Sequence, residues 1–167
     1  TTSGPSPAMC RRAPATCGSS EALTTPPTPS EHPSWPALVE HLASHSIRRG
    51  EFTLKSGARS TWFLDSKQTA CDPDGLLLMA DVALSVVPDE ATAIGGITVG
   101  ADPVAYGVAA VAATRGRRLR SFTIRKEAKD HGVVGRVAGA LRAGDKVVIT
   151  EDTTSRGTTI VEAVAVV

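Results

Sequence analysis

Glu151 and Asp152 stand side by side, and seven residues rich in hydroxyls follow them: Thr153, Thr154, Ser155, Arg156, Gly157, Thr158 and Thr159. Small residues let backbone N–H groups turn inward around an anion, and Gly157 permits either a close approach or a positive φ. The hydroxyls add further donors. Two carboxylates at the mouth of such a cradle repel phosphate, and they suit sugar hydroxyls or a divalent cation held beside the phosphate. The chemistry implied is capture of a phosphorylated sugar. The nucleotide P-loop pattern is absent, because no Lys follows the glycine.

The elements that must position this cradle are readable on both sides of it. Val147-Val148-Ile149 predicts a buried strand before it, and Ile160, Val161, Ala163 and Val164 predict a helix after it, whose positive end would point at the anion. A second unit of the same kind lies upstream. Ala93 to Ile97 reads as a buried strand, Gly95-Gly96-Ile97-Thr98-Val99-Gly100 as a glycine-rich loop, and Asp102-Pro103 as the start of a helix ending near Arg115-Gly116. Asp72-Pro73 starts a helix that should reach Val87 before Pro88. Ser34 is placed to cap a helix with apolar positions Trp35, Leu38, Val39 and Leu42. Between these helices, Glu51 to Leu54 and Thr61 to Asp65 are short strands joined at Ser56-Gly57.

Leu119 to Ile124 predicts a further strand ending in Arg125-Lys126. From Arg115 to Lys129 the chain carries Arg115, Arg117, Arg118, Arg120, Arg125, Lys126 and Lys129 against Glu127 alone, a field that suits a polyanion. RNA is disfavoured as that polyanion, because only Phe122 is available for stacking and it is read as core. Glu127 to Arg136 is polar, contains Gly132 and Gly135 and has no strong period, as expected of a mobile lid. A short strand around Val137 and a turn at Ala143-Gly144-Asp145 complete the readable fold. His41 and His45 have metal-ligand spacing, but no third ligand is near, so a solvated helix face is the reading.

Lys plus Arg number 18 and Asp plus Glu 17, so the near-neutral chain is read as a soluble globular protein rather than a general nucleic-acid or membrane binder. Its longest apolar run, Leu76 to Val87, is broken by Asp81 and too short to span a bilayer. Cys10, Cys17 and Cys71 match no zinc pattern, and free thiols in a reducing, cytoplasmic setting are the expectation. Residues 1–33 are dense in Pro, Ser, Thr and Ala and are read as a disordered extension, with a folded domain at 34–167. Arg11 and Arg12 among hydroxyl residues give this extension a faint likeness to an organellar transit peptide.

The segment from Val147 to Thr159 resembles the phosphoribosyl-pyrophosphate (PRPP) signature of type I phosphoribosyltransferases. Arg125-Lys126-Glu127-Ala128-Lys129-Asp130-His131-Gly132 and Glu51-Phe52-Thr53-Leu54-Lys55-Ser56-Gly57 are similar to stretches of orotate phosphoribosyltransferase, in that family's order. The resemblance implies an α/β fold: a mostly parallel sheet flanked by helices, with a small N-terminal hood. It implies transfer of the phosphoribosyl group of PRPP to orotate, with Mg²⁺ assistance, in pyrimidine biosynthesis. PRPP contacts then fall to Lys55, Arg125, Lys126, Lys129, His131, Glu151, Asp152 and residues 153 to 159, and orotate contacts to Trp62, Phe63 and Ser155. Lys126, Lys129, His131 and Asp152 carry the catalytic roles, no metal is assigned to protein ligands alone, and the lid implies a homodimer that shares it across the interface.

Three departures accompany the resemblance. Thr98 and Val99 stand where many relatives have a Tyr-Lys pair on PRPP, Arg156 stands where relatives have a small residue, and the chain stops inside the helix after the loop, so it reads as truncated. A PRPP-binding regulatory module or inactive fragment, and a phosphoribosyltransferase for another base, are the competing readings.

Overall fold

The computed structural model describes residues 28–54, 57–129 and 135–167. The expected contacts Lys55 and His131 lie outside the described residues, and Lys129 is described by its backbone alone. The central sheet has the order β5 (Gly135–Gly139), β4 (Arg120–Lys129), β3 (Ala93–Ile97), β6 (Val147–Ile149). β3 runs parallel to β4 and β6, and β5 is antiparallel to β4. This is the mostly parallel sheet predicted.

All five residues of β3 are buried, as a parallel strand covered on both faces requires. Its side chains alternate between two cores. Ile94 joins Ala80 and Leu84 of α3 (Pro73–Leu84) and Val104, Ala105 and Val108 of α4 (Ala101–Thr114). Ala93 and Ile97 join Phe122 and Ile124 of β4 and Ala163 of α5 (Thr158–Val166). Gly95 and Gly96 admit close neighbours: a Cβ on the first would collide with the Phe122 carbonyl and ring, and on the second with the Thr150 carbonyl and Ala101 Cβ. The absence of side chains therefore draws Thr150 and Ala101, where the two cavity loops meet their flanking elements, against one strand.

Local signals were accurate where local bonds decide. Asp72 caps α3 by accepting the N–H groups of Asp74 and Gly75 at 3.0 and 3.1 Å, with Pro73 in the first turn. The helix ends at Leu84, three residues short of the predicted Val87, because residues 85–87 close tighter turns onto 82–84. The Ala143-Gly144-Asp145 turn is present, and Asp145 accepts from Thr92 Oγ1 (2.8 Å) and the Arg142 N–H (2.7 Å).

Other expectations are corrected by contacts between distant segments. Ser34 does not cap α1 (Trp35–His41); its hydroxyl donates to Asp81 of α3 at 2.5 Å. Asp81 also pairs with Arg115, so this one carboxylate ties the chain before α1 to α3 and to the end of α4. Residues 29–31, assigned to the disordered extension, form a 3₁₀ turn. α4 does start beside Asp102-Pro103, at Ala101, and the Asp102 carboxylate accepts the hydroxyls of Thr98 (2.8 Å) and Thr123 (2.7 Å). His41 is not on a solvated face: Nε2 lies 3.2 Å from Asp72 Oδ1 and Nδ1 3.2 Å from Thr69 Oγ1, within reach of the α3 cap.

The basic field is also partly consumed by structure. Arg115 pairs with Asp81, Arg120 with Asp145, and Arg117 donates to the Val87 and Pro88 carbonyls. The described ends of the expected lid, 127–129 and 135–136, are strand, since β4 continues to Lys129 and pairs it with Gly135, while 130–134 lie outside the described residues. The hood is a hairpin, β1 (Ile47–Thr53) against β2 (Arg59–Leu64), starting earlier than predicted because Ile47 pairs with Leu64.

Candidate active site

The ends of β3 and β6 that carry loops 97–100 and 150–157 open onto a cavity of about 770 Å³. Ile97, Thr98, Val99 and Gly100 form one wall, and Glu151, Asp152, Thr153, Ser155, Arg156, Thr158 and Thr159 form another. Lys126 of β4 and Lys67 of α2 (Lys67–Ala70) close the ring. This position, outside the carboxyl ends of parallel strands, is where open α/β sheets bind ligands.

The hydroxyl loop is shaped by one residue. Gly157 adopts φ 71° as the residue before α5, while a Cβ there would meet nothing within 4 Å. Backbone conformation, rather than close approach, is what requires glycine. α5 then begins at Thr158 with its N-terminus toward the cavity, where unpaired N–H groups and the helix dipole favour an anion.

The two acids differ in their surroundings. Asp152 is nearly covered, its side chain 6% exposed; Oδ2 accepts Ser66 Oγ–H at 2.6 Å and Lys67 Nζ–H at 2.8 Å, and Oδ1 accepts the Thr153 N–H at 2.9 Å. Burial alone would raise its pKa, but the Lys67 and Ser66 hydrogen bonds prevail and hold it below the ordinary Asp value. Glu151 goes the other way. Burial, then its contact with Asp152 and that residue's charge, push its pKa up. Asp152 thus remains the carboxylate of the pair as pH falls, and Glu151 takes up the proton first.

Of the expected site residues, Lys126, Glu151, Asp152, Thr153, Ser155, Arg156, Thr158 and Thr159 line this one cavity. Thr154 and Gly157 belong to the same loop without lining it. Arg125 is not brought there: its guanidinium donates to the Gly135 carbonyl at 3.1 Å, which braces β5. Trp62 and Phe63 are on the hood, 52% and 43% exposed, with Phe63 tilted against Phe52 at 5.7 Å between ring centres. They line neither this cavity nor a second one of about 530 Å³ formed by Glu51, Phe52, Thr53, Arg59, Ser60 and Thr61. Among the described residues that second cavity offers one acid, Glu51, whereas the acid pair and the hydroxyl loop both line the first.

Sequence reasoning missed Ser66 and Lys67. They fall in a short polar run after β2, and their partner Asp152 is 86 and 85 residues away, so no local spacing signals the contact.

A mostly parallel sheet with an acid pair and hydroxyl cradle at its carboxyl end defines the chain as a type I phosphoribosyltransferase fold. No family model matches the chain. It is 40% identical over 131 residues to the orotate phosphoribosyltransferase of Streptomyces coelicolor, covering 76% of this chain and 72% of that protein. It is 36% identical over 128 residues to that of a Nostoc species, covering 76% of this chain and 62% of the relative. The crystal structure of Mycobacterium tuberculosis H37Rv orotate phosphoribosyltransferase in complex with PRPP superposes with a TM-score of 0.65 at 26% identity, over 80% of this chain and 73% of that one. The chain belongs to the orotate phosphoribosyltransferase family.

Proposed function

We propose that this chain transfers the phosphoribosyl group of PRPP to orotate, forming orotidine 5′-phosphate and pyrophosphate in pyrimidine biosynthesis. The observation that carries this reading is the shared cavity: an acid pair, a hydroxyl cradle at a helix N-terminus and the cations Lys67, Lys126 and Arg156 surround one space. The likeness to a relative solved with PRPP supports it. In this reading residues 153 to 159 hold the 5′-phosphate. Glu151 and Asp152 meet the ribose hydroxyls and offset positive charge on a ring passing through an oxocarbenium-like state. Lys126, with Lys129 and His131, receives the charge of the departing pyrophosphate.

Mg²⁺ fits this donor set. That ion takes one or two carboxylates together with substrate phosphates, and it keeps several waters. Glu151 is the available carboxylate, because Asp152 Oδ2 is already occupied by Ser66 and Lys67. Among the described residues no cluster of three or more His, Cys, Asp or Glu side chains is placed to hold a metal, so the ion would arrive with the substrate. When bound it would neutralise phosphate charge.

A homodimer with the 127–136 segment reaching the partner's cavity, and a cytoplasmic location, belong to the same proposal. Among the described residues no helix is long and apolar enough to cross a membrane. The test is loss of orotate absorbance on incubation of the 167-residue chain with PRPP and Mg²⁺, beside PRPP-induced thermal stabilisation of the same sample. Turnover with stabilisation is expected. Stabilisation without turnover would replace the enzyme reading with a PRPP-binding module, and neither signal in a folded sample would overturn both.

A further inference from the structure

Lys67 is a cation of the cavity that neither loop supplies: it stands against Asp152, whose Oδ1 is the atom a Cβ on Gly100 would meet. It comes from α2, whereas Lys126 comes from β4 and Arg156 from the hydroxyl loop. Its Nζ lies 2.8 Å from Asp152 Oδ2, yet the side chain remains 45% exposed while that of Asp152 is 6% exposed. An ammonium has three N–H donors, and this contact takes one. Two are left for an anion in the cavity. The hydrogen bond to Asp152, with the charges of Asp152, Asp65 and Glu151, also raises the lysine's pKa, so it stays charged at neutral pH.

We propose that Lys67 is a substrate-binding residue: its ammonium ties the carboxylate of Asp152 to the diphosphate of PRPP and supplies the positive charge that Thr98-Val99 lack. The assignment rests on the PRPP reading above. It explains how the cavity meets a polyanion from the loop 97–100 side, and it makes α2 part of the site.

Ser66 separates this role from a purely positional one. Its hydroxyl donates to the same Asp152 oxygen at 2.6 Å, but it is 3% exposed and does not line the cavity. Removing Ser66 disturbs Asp152 alone; removing Lys67 disturbs Asp152 and, by this proposal, the diphosphate.

The experiment uses two probes on the full 167-residue chain: pyrophosphate, which carries the diphosphate without the sugar, and ribose 5-phosphate, which carries the sugar without the diphosphate. Calorimetric titration is run on the parent, Lys67→Ala, Lys67→Arg and Ser66→Ala. Lys67→Ala should weaken pyrophosphate by about tenfold or more, the worth of a hydrogen bond to a charged group. Lys67→Arg should recover most of that loss, and Ser66→Ala should leave pyrophosphate affinity within about twofold of the parent. With PRPP as the varied substrate, Lys67→Ala should raise KM and Lys67→Arg should lower it again. Unchanged pyrophosphate affinity in Lys67→Ala, or equal losses in Lys67→Ala and Ser66→Ala, would overturn the assignment and leave the PRPP reading standing. A parent chain that binds neither probe would remove the reading itself, and Lys67's role with it.

Discussion

Gly100→Ala is the perturbation that best separates the chemistry of the cavity from the stability of the fold. Gly100 precedes α4 with φ −66° and ψ −48°, a conformation alanine adopts without strain. A Cβ at this position would lie 2.5 Å from Asp152 Oδ1 and 2.7 Å from Glu151 Oε1. Ordinary contact begins at 3.4 Å, so the Asp152 carboxylate must retreat by the difference from 2.5 Å, about 0.9 Å. It is already fixed by Ser66, Lys67 and the Thr153 N–H, and movement lengthens those bonds. A displacement near 1 Å of groups that position a substrate costs on the order of a hundredfold in turnover. The cost to folding is that of lengthening those bonds, on the order of 1–2 kcal/mol, offset in part because the loss of a glycine restrains the unfolded chain by about 0.4–1 kcal/mol. Orotate consumption should therefore fall by roughly a hundredfold, while the melting temperature stays within about 4 °C of the parent. Full activity would refute the inference that the acid pair is held where it works. A collapse in melting temperature would show that the loop tolerates no Cβ for reasons of folding.

Gly157→Ala should cost about 1–2 kcal/mol, read as a lower urea midpoint, because φ 71° is left-handed and the surrounding space is open; Gly157→Asn should cost less, and a neutral alanine would mean that the turn is not held as described. Asp81, bonded to Ser34 and paired with Arg115, has its pKa held below the ordinary value of 3.8, so its contribution is present above that pH and is lost as pH falls through the lowered value. Asp81→Asn should accordingly melt lower at neutral pH by on the order of 1 kcal/mol, discounted for the half-exposed Arg115, and converge with the parent in acid; a gap independent of pH would contradict this. Glu151, pushed up by burial and by Asp152, should set an acid limb of kcat/KM for PRPP that begins above its ordinary value of 4.5 and disappears in Glu151→Gln. A limb confined below that value would assign it to another group.

What could be read in the chain was whatever neighbouring residues decide among themselves. Asp72-Pro73 announces its helix because cap and first turn are adjacent, and the Val147 to Thr159 run announces strand, cradle and helix in one segment. The β3 glycines were legible as a loop signal, but not as the reason two cavity loops converge, which depends on Thr150 and Ala101 approaching from elsewhere. Charges misled most. Arg115, Arg117 and Arg120 look like a polyanion site in one dimension, yet Asp81, Asp145 and two carbonyls consume them in three. Conversely Lys67 looks idle until α2 is brought beside Asp152. Ser34 offered two acceptable partners, the amides of α1 and a carboxylate 47 residues away, and the charged acceptor won.

The bare Gly95-Gly96 pair has a consequence for how the molecule assembles. Ala93 pairs with Arg120 and with Val147, 27 and 54 residues further along, so closing the chain onto β4 demands a shorter loop than closing it onto β6. Loop-closure entropy alone therefore favours the β3–β4 pairing over the β3–β6 pairing. Two residues without side chains also weaken β3 itself, which then relies on its neighbours on both sides. The glycines that let the finished cavity draw together thus leave the strand at its centre dependent on the strands to either side of it.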